Sequence, residues 1–402
     1  MRRVKLLIAI PALNEEQSVG ETIQRCLLAG ELLVAEQVVH SVDVTVVSDG
    51  STDRTVEIAR AFVPRITLID WAENRGYGAA IKAAWLGSDA DLLGFLDADG
   101  TCDPTFFSVL CRAITTSDAD IALGCRLNAA SDMPMLRRLG NRFYALLLSL
   151  VADSAVRDTA SGMRVVRATA LGRMLPLPDG LHFTPAMSAR AHLGGDIRIV
   201  ERDMPYAERE GQSKLNVVRD GMRFLDVILR TAGTYRPSRL LAAAGLASLL
   251  PAIALMISPL AFFLQNRRLE EGMIYRFLVA NLLGLAAVSL LSAGYLAGRM
   301  VDLLLFDGRL PSRSRARFRE WLHGARFVFV IGALLAAGVA FVLPGLIDRI
   351  RTGETSLHWS RFISMSFFYE IALILVVTRL VDSFLDLSAQ RLLERKALVS
   401  GL

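Results

Sequence analysis

Leu92-Leu-Gly-Phe-Leu-Asp-Ala-Asp99 is the stretch of sequence that decides the fold. Five apolar or glycine residues run without interruption, and two aspartates, one residue apart, follow directly. A short continuous apolar run is typical of a strand buried on both faces of a sheet. In an open α/β sheet, ligands bind beyond the carboxyl ends of such strands. The stretch therefore predicts a buried strand that ends in a ligand site.

Other short apolar runs are spaced through the first 125 residues, and each is predicted as a strand: Val4–Ile10, Val42–Val47, Ile66–Ile69 and Ile121–Leu123. Segments with apolar residues at helical spacing alternate with these runs. Strands that alternate with helices predict an α/β domain with a doubly wound, mostly parallel sheet.

Polar clusters follow three of the predicted strands, namely Asn14-Glu15, Ser48-Asp49 and Asp97-Ala-Asp99. Two carboxylates separated by one residue can share a divalent cation such as Mg²⁺ or Mn²⁺, which bridges the phosphates of a nucleoside diphosphate. Asp49 either accepts a hydrogen bond from a nucleobase or ribose, or serves as a turn residue. The run 74–78 supplies a glycine-rich turn that can approach phosphate, but it is not a dinucleotide-binding fingerprint.

The chain changes character after Leu240, where long apolar runs begin. Four of them are long enough to span a bilayer: about 240–264, 273–299, 326–347 and 362–384. The connection between the second and third spans carries five arginines, and the positive-inside rule places it, with both termini, in the cytoplasm. We therefore expect a domain at 1–216, an amphipathic linker at 217–238, a membrane domain at 239–386 and a cytoplasmic tail at 387–402.

Two segments outside the spans are amphipathic. The very apolar segment 139–151 is flanked by arginines, and it is either an interfacial helix or a core helix of the first domain. The segment 217–229 precedes the first span, which favours an interfacial position. Within the fourth span, Arg379 and Asp382 are three residues apart and can pair with each other, which would lower the cost of placing them in lipid.

Composition excludes several classes of protein. The chain is 53% hydrophobic with a net charge of +5, and it has no basic run with interleaved aromatic residues of the kind that binds nucleic acid. The four cysteines have no metal-binding spacing, so we expect reduced core thiols. The N-terminal apolar stretch is too short for a signal peptide, so the first domain is expected to remain in the cytoplasm.

The ordered set of motifs resembles family-2 glycosyltransferases of the GT-A fold. The motifs are Pro11–Glu16, Ser48–Asp53, Asn74–Gly78 and Asp97–Asp99. Those at Gly124–Arg126, Asp158–Arg164 and Arg209–Leu215 resemble the branch of dolichyl-phosphate mannose synthase and bacterial polyprenyl-phosphate glycosyltransferases. The resemblance implies transfer of a sugar from a UDP- or GDP-sugar to a polyprenyl phosphate at the inner membrane.

The resemblance also implies roles for individual residues. Nucleotide-sugar binding falls to Pro11, Leu13, Glu15, Asp49, Asn74, Lys82, Asp97, Ala98 and Asp99. Asp97 and Asp99 would hold the metal. Binding of the acceptor or donor phosphates falls to Arg126, Ser161, Arg164, Arg209, Ser213 and Lys214. The residues implied in catalysis are Asp158, Asp99, Arg126 and Lys214, with Asp158 acting either as a base or as an orienting carboxylate.

Other functions remain alternatives. A glycosyltransferase with a neutral lipid acceptor would need a general base, because a hydroxyl, unlike a phosphate, must lose a proton. A transporter of lipid-linked sugars, or an inactive scaffold, would not need the aspartate pair. The chain departs from the family in having Ser48 and Ala186 where relatives often carry carboxylates, and it lacks a Q-x-x-R-W motif. A homo-oligomer and a single chain both remain open as the assembly.

Overall fold

The computed structural model describes residues 4–129, 131–152, 154–207, 217–305, 313–354 and 357–400. The chain divides into two compact units, Met1–Tyr235 and Arg236–Leu402. The first boundary was expected at residue 216. The structure places the helix that follows, Val217–Tyr235, in the first unit.

Unit 1 is built on a seven-stranded sheet. Its strands are β1 (Lys5–Ala12), β2 (Ser41–Asp49), β3 (Thr67–Trp71), β4 (Leu92–Leu96), β5 (Ile121–Cys125), β6 (Met163–Arg167) and β7 (Ile199–Asp203). The order across the sheet is β3-β2-β1-β4-β6-β5-β7. Every pairing is parallel except those of β6, which runs antiparallel to both β4 and β5. The predicted doubly wound, mostly parallel α/β sheet is confirmed.

Helices cover both faces of this sheet, and each face has its own apolar core. They are α1 (Val19–Ala35), α2 (Thr55–Arg60), α3 (Tyr77–Leu86), α4 (Phe107–Ser117), α5 (Met135–Val151), α6 (Ala168–Met174), α7 (Phe183–Gly194) and α8 (Val217–Tyr235). The four cysteines are buried thiols, as expected. Because β1, β2, β4 and β5 are parallel, their carboxyl ends meet at one edge, and the site lies there.

The helix α5 has two different faces. Asn141, Ala145 and Leu148 are buried against unit 1. A stripe of apolar side chains on the other side is between 53 and 69% exposed: Leu136, Leu139, Phe143, Leu146 and Leu150. We call these five residues the α5 stripe. One face of the helix therefore belongs to the core of unit 1, and an interfacial position for the other face stays a prediction.

Unit 2 is entirely helical in its described part. Its helices are α9 (Pro237–Asn266), α10 (Ile274–Leu305), α11 (Arg313–His323), α12 (Ala325–Thr352) and α13 (Trp359–Ser400). Among the described residues, three helices are long and apolar enough to cross a membrane: Pro237–Asn266, Glu271–Leu304 and Ala325–Thr352. They contain the first three predicted spans. The fourth predicted span lies within α13, which is not one of these three, so the count of four remains a prediction.

The helix α13 nevertheless runs alongside α10 over a membrane-spanning distance. The rings of Trp359 and Phe277 lie 5.2 Å apart, and the Tyr295 hydroxyl donates to Asp382 at 3.0 Å. The 23 residue steps from Trp359 to Asp382 correspond to about 35 Å of helix. The predicted cytoplasmic tail at 387–402 continues this helix to Ser400.

The predicted pairing of Arg379 with Asp382 is wrong. Asp382 is fully buried and accepts hydrogen bonds from Arg299 at 3.1 Å and from Tyr295, and it lies 2.9 Å from His323. The Arg379 guanidinium lies over the ring of Phe327 instead. The carboxylate of Asp382 finds its hydrogen-bond partners on neighbouring helices rather than on its own helix, because α10 and α11 both place side chains beside it.

Candidate active site

A cavity of about 570 Å³ opens at the carboxyl edge of the sheet of unit 1. Its strand-side lining contains nine of the predicted residues: Pro11, Leu13, Glu15, Asp49, Asn74, Asp97, Ala98, Asp99 and Arg126. These residues lie at or just beyond the carboxyl ends of five parallel strands, β1 to β5, which is why segments distant in sequence meet here. The predicted convergence of the polar clusters is confirmed.

Asp49 holds the turn that opens α3. Its two carboxylate oxygens accept from the backbone N–H groups of Arg75 at 2.6 Å and Gly76 at 2.9 Å. Gly76 has φ +107, and a Cβ there would lie 2.5 Å from the carbonyl oxygen of Asp179, so only glycine fits. Asp49 therefore shapes the turn and also lines the cavity, and the two roles considered for it are compatible.

Asp97 and Asp99 lie at the end of β4, and each accepts a hydrogen bond from a neighbouring hydroxyl. The phenol of Tyr77 donates to Asp97 Oδ1 at 2.6 Å, and the Thr101 hydroxyl donates to Asp99 Oδ1 at 2.7 Å. Burial, together with Asp97, raises the pKa of Tyr77 well above its ordinary value, so the phenol stays protonated. Two carboxylates on one cavity wall form the oxygen donor set that suits a hard divalent cation.

Asp158 is completely buried and forms a two-pronged ion pair with Arg126, at 2.9 and 3.0 Å. Asn141 and the backbone N–H groups of Arg126 and Ala160 also donate to its carboxylate. Burial works to raise the pKa of Asp158, but Arg126 and these hydrogen bonds outweigh it and lower the pKa to about 2. Asp158 does not line the cavity, whereas Arg126 does.

Three more predicted residues lie outside the cavity lining and support loops at its edge. Arg164 is fully buried and donates to the carbonyl oxygens of Thr159 and Ser161 and to the Ser188 hydroxyl. Burial lowers its pKa to about 10, so it remains charged at neutral pH. The Ser161 hydroxyl donates to the Gly124 carbonyl oxygen at 2.6 Å.

Lys82 is the third of these residues. Its ammonium donates to the Leu177 carbonyl oxygen at 2.7 Å and to Asp179 at 2.6 Å. The backbone N–H groups of Gly78 and Ala79 also donate to the Asp179 carbonyl oxygen, so α3 and Lys82 together fix the loop at 175–182. The predicted residues Arg209, Ser213 and Lys214 lie outside the described part of the chain.

The opposite wall of the cavity was missed by motif reasoning. It comes mainly from α5 and α8, with Leu136, Arg137, Tyr144, Arg219, Arg223 and Phe224. The Tyr144 hydroxyl donates to the Gly221 carbonyl oxygen at 2.9 Å and ties the two helices together. The arginines flanking both amphipathic segments were the available signal, but amphipathic spacing alone does not say which cavity a helix borders.

Comparisons with known proteins agree with this geometry. The family model described as Glycosyl transferase family 2 matches residues 7–175. The chain is 30% identical over 212 residues to a dolichyl-phosphate hexose transferase of Haloferax volcanii, covering 52% of this chain and 86% of that protein. It is 25% identical over 322 residues to a dodecaprenyl-phosphate galacturonate synthase of Rhizobium johnstonii, covering 78% and 92%.

Coverage of another relative is smaller. The low-salt glycan biosynthesis hexosyltransferase Agl6 of Haloferax volcanii is 31% identical over 57% of this chain, and the chain spans only 54% of its length. Among solved structures, the glucosyl-3-phosphoglycerate synthase of Mycobacterium tuberculosis, crystallised with Mn²⁺, UDP and phosphoglyceric acid, is 18% identical. The match covers 58% of this chain and 79% of that one, with a TM-score of 0.45.

The family model extends from β1 to α6, which includes all five strand ends that line the cavity. The Haloferax hexose transferase adds a relative matched over most of its length. The chain therefore belongs to glycosyl transferase family 2.

Proposed function

We propose that this chain transfers a sugar from a UDP- or GDP-sugar to a polyprenyl phosphate at the cytoplasmic face of the inner membrane. One observation carries the proposal. A single cavity has carboxylates at the strand ends on one wall, and arginines and apolar side chains of α5 and α8 on the other. The first wall suits a metal-bound nucleoside diphosphate, and the second suits a lipid with an anionic head.

The donor would bind at the strand ends. Asp97 and Asp99 would hold Mg²⁺ or Mn²⁺, which when bound would offset the charge of the diphosphate. Asp49, Pro11, Leu13 and Glu15 would surround the nucleoside, as the resemblance to the family implies, with Asn74 and Ala98 beside them. This division follows the cavity lining, in which the nucleoside residues belong to β1 and β2 and the aspartate pair to β4.

The acceptor phosphate would bind to the guanidinium of Arg126. Its guanidinium borders the cavity and is held in place by the buried Asp158, so its direction is set before any ligand binds. Arg209, Ser213 and Lys214 are assigned to the same phosphates by the family resemblance alone. Asp158 acts in this scheme as a positioning residue for Arg126, which supports the orienting role over that of a base.

The reaction needs no general base. A phosphomonoester has a second pKa near 6 and is largely deprotonated at neutral pH. One of its oxygens attacks the anomeric carbon, and the bond from that carbon to the diphosphate breaks with its electron pair on the leaving group. No proton has to move, so the protein's task is to align the reactants and stabilise negative charge.

The wall formed by α7 supports a phosphate acceptor over a neutral hydroxyl. The cavity-lining residue in the first turn of α7 is Thr184, where a base could have stood, and Ala186 is buried nearby. Within the described lining, the carboxylates are Glu15, Asp49, Asp97 and Asp99, all at the ends of β1, β2 and β4. They lie on the donor side of the proposed arrangement.

The test is a transfer assay with the full chain in detergent. Undecaprenyl phosphate, Mn²⁺ or Mg²⁺ and a panel of UDP- and GDP-sugars would be supplied, and lipid-linked sugar followed. We expect product from one donor, its loss with EDTA, and a loss of at least about a hundredfold in Asp99→Asn. The matched control is Asp118→Asn, which changes an exposed aspartate whose backbone φ of 47° suits asparagine.

A second arm of the assay identifies the acceptor class. Diacylglycerol would replace undecaprenyl phosphate under the same conditions. Product on diacylglycerol and none on the phosphate would overturn the proposed acceptor. No product with any donor, while UDP or GDP still binds, would overturn the proposed reaction.

A further inference from the structure

The phenol of Tyr77 forms a hydrogen bond with one member of the aspartate pair, Asp97, although no motif assigns Tyr77 a role there. Its hydroxyl donates to Asp97 Oδ1 at 2.6 Å, the length of a strong hydrogen bond to a charged acceptor. The ring is held edge-on between Phe95, at a centroid distance of 6.4 Å, and Phe183, at 6.5 Å. The hydroxyl therefore has a fixed position relative to β4.

The other oxygen of Asp97 is confined by a glycine. A Cβ added to Gly162 would lie 1.9 Å from Asp97 Oδ2, so the carboxylate packs directly on the backbone there. Gly162 belongs to the loop that the buried Arg164 holds through the carbonyl oxygens of Thr159 and Ser161. One oxygen is thus held by a donor and the other by a steric wall.

We propose that Tyr77 is a positioning residue for Asp97, holding its carboxylate in the one orientation that receives the metal-bound nucleotide. The inference rests on the proposed function, since it concerns the donor half of the same site. An aspartate side chain at a strand end can adopt several rotamers. Ordering it in advance removes that entropy cost from the binding step.

The first experiment measures binding. In the full chain in detergent, Tyr77→Phe keeps the ring and removes only the hydroxyl. We expect the Mn²⁺-dependent affinity for UDP or GDP, whichever the wild type binds, to fall about tenfold by calorimetry, the size of a lost hydrogen bond to a charged group. Mn²⁺ binding by electron paramagnetic resonance should weaken in parallel, while the melting temperature without ligand stays near that of the wild type.

The matched control is Tyr295→Phe in unit 2. It also removes a phenol that donates to an aspartate, here Asp382, but it does not line the cavity. Its affinity for Mn²⁺ and nucleotide should equal that of the wild type. A loss as large as that in Tyr77→Phe would attribute the effect to general damage and overturn the inference.

A double variant separates positioning from an independent contact. If Tyr77 acts through Asp97, then Tyr77→Phe adds no further loss of nucleotide affinity in an Asp97→Ala background. An equal loss in both backgrounds, or no loss in the single variant, would overturn the inference. Gly162→Ala places a methyl group against the Oδ2 oxygen of the same carboxylate, and it should also weaken Mn²⁺-dependent nucleotide binding.

The outcomes distinguish this inference from the proposed function. If the wild type makes lipid-linked sugar and Tyr77→Phe binds Mn²⁺ and nucleotide normally, only the positioning role fails. If the wild type binds Mn²⁺ and nucleotide but makes no product, the reaction fails, while the binding series still decides the role of Tyr77. If the wild type binds neither, both fail.

Discussion

At the scale of single residues, Asp158 was predicted as a site residue from the sequence, but its role depends on contacts that only the structure shows. Its position in a family motif marked it for the site, but whether it was a base or an orienting group depended on what surrounds it. Arg126 and Asn141 are 32 and 17 residues away along the chain, and the strand order brings both to its carboxylate. No local pattern reports such contacts, so the sequence predicted the residue and left its role open.

Asp158 should make the stability of unit 1 depend on acidity. Its pKa is about 2 in the folded chain and about 3.9 when unfolded, so its contribution is fully present above about pH 4. It is lost as the pH falls towards 2, by about 2 kcal/mol in the free energy of unfolding. Denaturant unfolding of the detergent-solubilised chain, followed by the fluorescence of the buried Trp85, would measure it.

The Asp158→Asn variant tests the same pair at neutral pH. It leaves the Arg126 guanidinium, whose side chain is only 11% exposed, without its counter-charge, and the free energy of unfolding should fall by about 3 kcal/mol. The free energy of unfolding of this variant should lack the loss between about pH 4 and pH 2 that Asp158 causes in the wild type. Asp203→Asn removes the partner of an exposed pair with Arg157 and should cost under about 1 kcal/mol. Equal losses in the two variants would contradict the assigned role.

At the scale of elements, the strands were predictable where their own sequence is a continuous apolar run. All five predicted strands are present, and no boundary differs by more than about two residues. β6 and β7 were not predicted. β6 carries arginines at 164 and 167, and β7 has the polar sequence Ile-Val-Glu-Arg-Asp, so neither has the signal of a buried parallel strand. Antiparallel and edge pairing tolerates such residues.

The α5 stripe should contact lipid in a bilayer. A nitroxide at Leu146→Cys in nanodiscs should be more accessible to oxygen than to a water-soluble nickel complex, because apolar surface of this kind partitions into the acyl boundary. The matched control is Arg112→Cys on the exposed side of α4, which should favour the nickel complex. The four native cysteines are buried and should not react with the label. The same preference at both positions would contradict lipid contact at α5.

At the scale of the whole molecule, composition predicted two parts and the structure has two units. The prediction of spans depended on apolar length, and the three helices identified by length and composition among the described residues do not include α13. The fourth predicted span in α13 contains Asp382, which accepts hydrogen bonds from, or lies within ion-pair distance of, Arg299, Tyr295 and His323 from neighbouring helices. Hydropathy treats each charge as though it faced lipid, and so it cannot register such partners.

We expect α13 to cross the membrane, which gives four spans and places its end on the side of α11. Three single-cysteine variants would test this with an impermeant maleimide on intact cells: Glu354→Cys, Glu320→Cys and Glu394→Cys. All three positions are exposed in the structure. Glu354→Cys should label directly, and the other two only after permeabilisation. Direct labelling of Glu394→Cys would mean that α13 does not cross.

The α5 stripe has a practical consequence for handling the enzyme. Cutting the chain after Tyr235 would remove every helix that is long and apolar enough to span a bilayer among the described residues. Five large apolar side chains would still project from unit 1. Exposed apolar patches of this kind promote self-association in water. The truncated protein should therefore need detergent to remain monodisperse, and solubility alone would not report whether its membrane anchor had been removed.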